Sequence, residues 1–209
     1  MKKCLAFDDV RIEPMFLSTK TSRLMVNTNT KIGKLDLSIP LIASPMSMIG
    51  ESNLIIALEK LGGLGIVHRF MSVEEQITNL NNIRASDESL HRAVSIGVSD
   101  NGKQRFDELF KNKDLFSLVC IDVANGFSTL MKEMIDYVKQ KSNGELDVMA
   151  GNIASVEGYQ YLAECGADAV RFGIGSGSRC ITAIQTGINK PLFSTIYECK
   201  NIHLESYPN

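Results

Sequence analysis

Short apolar runs recur along the chain, each ending in small or polar residues and each followed by an amphipathic stretch. They are PLIASPM (40–46), LGIVHR (64–69), AVSIGVS (93–99), LVCIDVAN (118–125), DVMAGNI (147–153) and AVRFGIG (169–175). The repeat of roughly 25 residues is the length of one strand, one helix and two short loops. Val, Ile and Leu run almost continuously rather than alternating with polar residues, which suits parallel strands covered on both faces. The stretches between them predict helices. Ser72 is followed three residues later by Glu75, a capping box that opens VEEQITNLNNI. Ser128 precedes TLMKEMIDYVKQK, in which Leu130, Met131, Met134, Ile135 and Val138 fall at helical spacing. VEGYQYLAECGAD stops at Gly166, a residue suited to a helix end before the next strand.

Alternation of strand and helix predicts an α/β protein with a parallel sheet and right-handed crossovers. Residues 1–35 stand apart as an irregular, polar lead-in, expected to form loop and hairpin on the bottom or side of the sheet. Residues 1–209 otherwise read as a single domain, since no linker or low-complexity tract divides them. Six units suit an open doubly wound sheet, and they equally suit most of an eight-fold barrel.

Composition narrows the class. The chain has 209 residues, 44% hydrophobic and 22% charged, values that exclude disorder, collagen and coiled coil. A net charge of -2 argues against a nucleic-acid-binding surface. No stretch is apolar for long enough to cross a membrane, and the start lacks the apolar core of a secretory signal. Five cysteines at irregular spacing, without a CxxC pair or a histidine cluster, make a zinc site unexpected and suggest free thiols in the cytoplasm. The length is about 40 residues short of a typical eight-fold barrel.

In either architecture the chemistry sits at the carboxyl ends of the strands. That selects Ser44–Pro45–Met46, His68–Arg69, Asp122 to Gly126, Gly151–Asn152 and Gly173 to Thr182. Pro45 and Met46 read equally as strand end and core filler, Asp122 as a capping carboxylate, and Asn152 as a turn residue. The segment GIGSGSRCIT (173–182) is more distinctive. Its alternate glycines let backbone amides approach an anion, and Ser178 adds a hydroxyl. Cys180 beside Arg179 and these amides is placed to be a thiolate nucleophile, whereas Cys120 and Cys165 read as buried, inert thiols.

GIGSGSRCIT resembles the catalytic cysteine loop of the IMP dehydrogenase/GMP reductase family, flavin-free (β/α) barrel enzymes acting on purine nucleotides. The resemblance continues in order through FDDVRIEP (7–14), PLIASPM, LGGLGIVHRFMS (61–72), DVANG (122–126), AGN (150–152), GADAVRFGIGSGSRCIT (166–182) and TGINKP (186–191). It implies a TIM-type barrel of which about six of eight βα units are present. It also implies that Cys180 adds to purine C2 and that Thr182 assists at the leaving group or water. Ser44 and Met46 match positions lining the nucleotide pocket, and Arg171, Gly177 and Ser178 match positions near the phosphate and loop. Asp122 and Asn152 match residues around the ribose and nicotinamide. Backbone carbonyls of Gly175, Gly177 and Cys180 match a monovalent-cation site, K+ in part of the family.

The family's dehydrogenases usually carry a regulatory insertion between the second and third strands, where this chain has only residues 70–92. DVANG also resembles the reductase form, although HRFMSVEEQ and PLIASPM resemble the dehydrogenase. The resemblance thus favours GMP reductase, converting GMP to IMP and ammonia with NADPH. The alternative is oxidation of IMP to XMP with NAD. An Asp-Gly-Gly ribose motif and the reductase's acid/base Glu, both expected in later units, have no match here. Three expectations follow: half of a split enzyme completed by a second polypeptide, a truncated chain inactive alone, or a non-catalytic module that keeps nucleotide affinity. A homo-oligomer, tetrameric in the family, is also expected.

Overall fold

A computed structural model describes residues 3–14, 19, 22–177 and 180–206. Its centre is a six-stranded parallel sheet of β3 (Ile42–Ala43), β4 (Leu64–Val67), β5 (Ala93–Ile96), β6 (Leu118–Asp122), β7 (Asp147–Ile153) and β8 (Ala169–Phe172). Spatial order follows chain order without reversal. A doubly wound sheet reverses at a switch point and carries helices on both faces. Here the strands curl into part of an α/β barrel, with the connecting helices on the outside. Each apolar run of the sequence contains a strand, although the first forms only two paired residues.

The helices are α1 (Ser52–Glu59), α2 (Val73–Ser86), α3 (Asp100–Phe110), α4 (Thr129–Lys141), α5 (Val156–Glu164), α6 (Thr182–Thr186) and α7 (Leu192–Ser206). The capping box at Ser72 forms as expected: Glu75 N donates to Ser72 Oγ at 3.1 Å, and Ser72 N donates to Glu75 Oε2 at 2.7 Å. Ser128 Oγ accepts from Met131 N at 3.3 Å, and four of the five apolar positions of α4 named above, Met131, Met134, Ile135 and Val138, are fully buried. Gly166 closes the α5 end with φ +86°.

Side chains alternate along each strand, so two cores form. The outward set (Val94, Ile96, Val119, Ile121, Val148) packs under the helices against Leu80, Phe106, Leu109, Met134 and Leu162. The inward set (Leu64, Ile66, Ala93, Leu118, Cys120, Met149) meets Leu35 and Leu37. Those two leucines belong to β2 (Leu35–Leu37), which pairs antiparallel with β1 (Thr30–Ile32). The hairpin thus plugs the bottom of the barrel interior. Asp147, at the first position of β7, is buried and holds the turn: its Oδ2 accepts from Lys34 N at 2.6 Å. Gly33 there has φ +55°, and a Cβ would lie 2.4 Å from Asp147 Oδ2. With the bottom filled, the interior opens toward the carboxyl ends of the strands.

Candidate active site

The strand ends surround a cavity of about 860 Å³. Ser44, Met46, Asp122, Asn152, Arg171, Gly175, Gly177, Cys180 and Thr182 all line it. Sequence positions spread over more than a hundred residues therefore converge in one place. Ser178 lies outside the described residues. Pro45 is buried while Met46 is 54% exposed, so Met46 faces the cavity mouth rather than filling the core. Asn152 lies within β7 rather than in a turn.

Register explains the polar centre. Asp122 on β6 pairs with Gly151 on β7, and Gly151 pairs with Arg171 on β8. Period-two alternation points Asp122 and Arg171 inward at the same level, above Cys120 and Ala169. Gly151 between them has no side chain, which leaves the span open for Arg171 Nη1 to donate to Asp122 Oδ1. Both side chains are less than a fifth exposed. Arg171 Nη1 also lies 3.8 Å from Cys120 Sγ, deeper in the barrel. Burial pushes the Cys120 thiol up to about 12, so it stays protonated despite that cation.

A second cation joins from the other side. Arg69, two residues beyond β4, donates from Nε to the Asp122 carbonyl at 3.1 Å, and its guanidinium lies 4.7 Å above the Phe70 ring. In the sequence, Arg69 carries a single signal, its location at a strand end, which gives it no role. Gln76 fixes this strand end, donating from Nε2 to the carbonyls of His68 (3.1 Å) and Ser95 (3.0 Å). Fully buried, it accepts from Arg105 Nη1 at 2.6 Å. Its polarity had not marked it out in the sequence.

Asn152 donates from Nδ2 to the Gly173 carbonyl at 2.8 Å, while its buried Oδ1 accepts from no protein group. A buried acceptor left open at a cavity wall is suited to an amide donor on a ligand.

The cysteine loop leaves β8 and turns back over the cavity. Gly175 has φ +72°, and a Cβ would lie 2.7 Å from Ala183 Cβ and 2.9 Å from the Ile188 carbonyl. Only glycine fits there. The loop closes with Cys180 N donating to the Gly177 carbonyl at 2.9 Å, so one of the three carbonyls matched to a cation site already accepts a backbone bond. The Thr182 hydroxyl and then the Thr182 amide hold the Cys180 thiol below its ordinary value; burial opposes them less strongly, and the Gly175 and Ala183 amides add smaller effects in the same lowering direction. Cys120, Cys165 and Cys199 shift upward through burial. Cys180 is the thiol whose surroundings favour the anion. Among the described residues no group of three or more His, Cys, Asp and Glu side chains could hold a metal ion, and no helix is long and apolar enough to cross a membrane.

An α/β barrel whose strand ends place a cysteine on a glycine loop, an arginine-paired carboxylate and an open amide acceptor around one cavity has the layout of a barrel enzyme. Residues 4–207 match the family model described as IMP dehydrogenase / GMP reductase domain, and the chain belongs to that family of purine nucleotide oxidoreductases. It is 33% identical over 202 residues to a GMP reductase of Shewanella halifaxensis, covering 93% of this chain and 57% of that protein. It is 34% identical over 181 residues to a GMP reductase of Ligilactobacillus salivarius, covering 87% and 54%. It is also 34% identical over 200 residues to a GMP reductase of Escherichia coli O81, covering 93% and 57%. The chain thus spans little more than half the length of these relatives.

Proposed function

We propose that this chain carries the nucleophile and much of the nucleotide pocket of a GMP reductase, with Cys180 attacking C2 of the purine. The observation that carries the reading is the Cys180 thiol, lowered by the Thr182 hydroxyl and three backbone amides, on the cavity that holds Asp122, Asn152 and Arg171.

Cys180 Sγ, as thiolate, bonds to C2 of GMP, and the C2–N bond breaks as the amino group takes up a proton and leaves as ammonia. The covalent adduct divides one difficult substitution into two easier steps. A reduced nicotinamide, NADPH in this reading, supplies when bound the hydride that replaces sulfur at C2, giving IMP and restoring the thiolate. Thr182 stabilises the thiolate before attack and again as it departs. Ser44, Met46, Gly177 and Ser178 bound the nucleotide, with Ser178 donating to phosphate. Arg69 and Arg171 hold the Asp122 carboxylate in one orientation at the cavity wall. The open acceptor Asn152 Oδ1 suits a nicotinamide carboxamide, whose amide N–H would satisfy it. Gly175, Gly177 and Cys180 carbonyls form the edge at which K+ would bind.

The reading extends to the whole protein. In the eight-fold barrel that the reading implies, further βα units would stand beside β8 and β3, and turnover would draw on them. The working enzyme is a cytoplasmic homo-oligomer.

The test is NADPH oxidation with GMP, measured for this chain alone and together with a polypeptide supplying the last two βα units. Turnover should need both parts and should fall at least a thousandfold in Cys180→Ala, roughly the scale on which loss of a nucleophile acts, while GMP binding persists. Undiminished turnover in Cys180→Ala would refute the nucleophile assignment. Preferential NAD reduction with IMP would move the reading to the dehydrogenase.

A further inference from the structure

Leu5 and Phe7 are remote in sequence from the cysteine loop, yet they grip the helix against which that loop rests. Leu5 N donates to Ser194 Oγ at 2.7 Å, and Ser194 N donates to the Leu5 carbonyl at 3.1 Å, a reciprocal pair spanning 189 positions. The Phe7 ring meets Phe193 edge-on, with centroids 5.7 Å apart and planes at 82°. The segment is shaped locally for this contact: Ala6 N donates to Asp9 Oδ2 at 2.7 Å, and Asp9 N donates back to the Ala6 carbonyl at 3.2 Å.

Ser194 occupies the first turn of α7, where backbone amides have no acceptor within the helix. The Leu5 carbonyl supplies one from outside. The neighbouring residue of that turn reaches the loop: a Cβ on Gly173 would sit 3.4 Å from Leu192 Cδ1. Gly173 itself has φ +108°, and Gly175 beyond it lies against Ala183 and the Ile188 carbonyl. Lys190, just before α7, pairs with Glu198 at 2.7 Å and ties the end of the loop to the same helix. The first turn of α7 therefore touches both the Leu5–Phe7 segment and Gly173, where the loop that carries Cys180 begins.

We propose that Ser194, together with Leu5 and Phe7, is a positioning clamp that holds the first turn of α7 and through it the conformation of the Cys180 loop. The inference rests on the reading of Cys180 as nucleophile, and it concerns residues that touch neither nucleotide nor reacting atoms.

The test uses this chain without turnover. Iodoacetamide labelling of Cys180 is followed by mass spectrometry of its peptide, and amide hydrogen exchange is followed over residues 173–187. Ser194→Ala should slow labelling about three- to tenfold, the range set by loss of one hydrogen bond, and should speed exchange of the loop. Ser194→Thr, which keeps the hydroxyl, should restore both. Phe7 is 55% exposed, so Phe7→Leu trims the ring contact without entering the core and should move both readouts in the same direction. Unchanged loop exchange in Ser194→Ala and Phe7→Leu would overturn the clamp. If Cys180 in the unaltered chain labels no faster than a cysteine in an unstructured peptide, the nucleophile reading fails instead, and loop exchange alone decides the clamp.

Discussion

Cys180 differs from Cys120, Cys165 and Cys199 both in depth and in what donates to it: burial raises those three, whereas hydrogen bonds lower Cys180. Lowering a thiol's titration point makes the thiolate abundant at lower pH, so its alkylation rate should rise and level off earlier than that of an ordinary cysteine. Thr182 is the first cause of the lowering. Thr182→Val keeps the shape and removes the hydroxyl; the rate curve should move to higher pH, with labelling near pH 7 reduced about three- to tenfold. A superimposable pH–rate curve would show that the hydroxyl plays no such part. Cys120, pushed up to about 12, serves as the unreactive internal control. The candidate nucleophile was legible because glycine, serine and arginine around a cysteine form a local signal. The roles of Arg69 and Gln76 were not: their partners, Asp122 and Arg105, come from other units, and no short-range pattern announces them.

The strands and helices owe their positions to patterns that work within a few residues, such as the Ser72 box and the apolar stripe of α4. The hairpin of β1 and β2 is different. Its sequence is polar and irregular, and its place inside the barrel depends on Leu35 and Leu37 joining a cluster with inward residues of β4 to β7, edged by Ala169 of β8. Asp147 is the residue that pins it. Asp147→Ala removes the acceptor of the part-buried Lys34 amide bond and should lower stability by about 1–2 kcal/mol, the usual net worth of such a hydrogen bond. Asp147→Asn retains an acceptor and should lose less. Gly33→Ala should resemble the alanine variant, because a Cβ meets the carboxylate at a positive φ. Urea unfolding of the three variants decides the point; equal stability throughout would mean that the turn is not anchored there.

The sheet as a whole is open at β3 and β8, and Leu41, beside β3, is 57% exposed with Ile42 at 39%. Open parallel edges bearing apolar residues pair with other chains. Sedimentation should therefore show concentration-dependent association of this chain, weakened by Leu41→Lys; a monomer at every concentration would exclude edge pairing. Repetition of apolar runs with capped helices was enough to establish an α/β protein with six units, because strand and helix periodicity and end-capping act between neighbours in sequence. It left the open sheet and the barrel undecided, since both use the same local units and differ only in how strands curl and order. The family resemblance implied the barrel, and the curl and unreversed order of the strands bear it out. Placement in three dimensions also brought Asp122 and Arg171 to one level across Gly151, filled the barrel bottom with the hairpin and set α7 behind the cysteine loop. Those outcomes depend on register and on contacts between distant segments, which no single stretch of residues encodes.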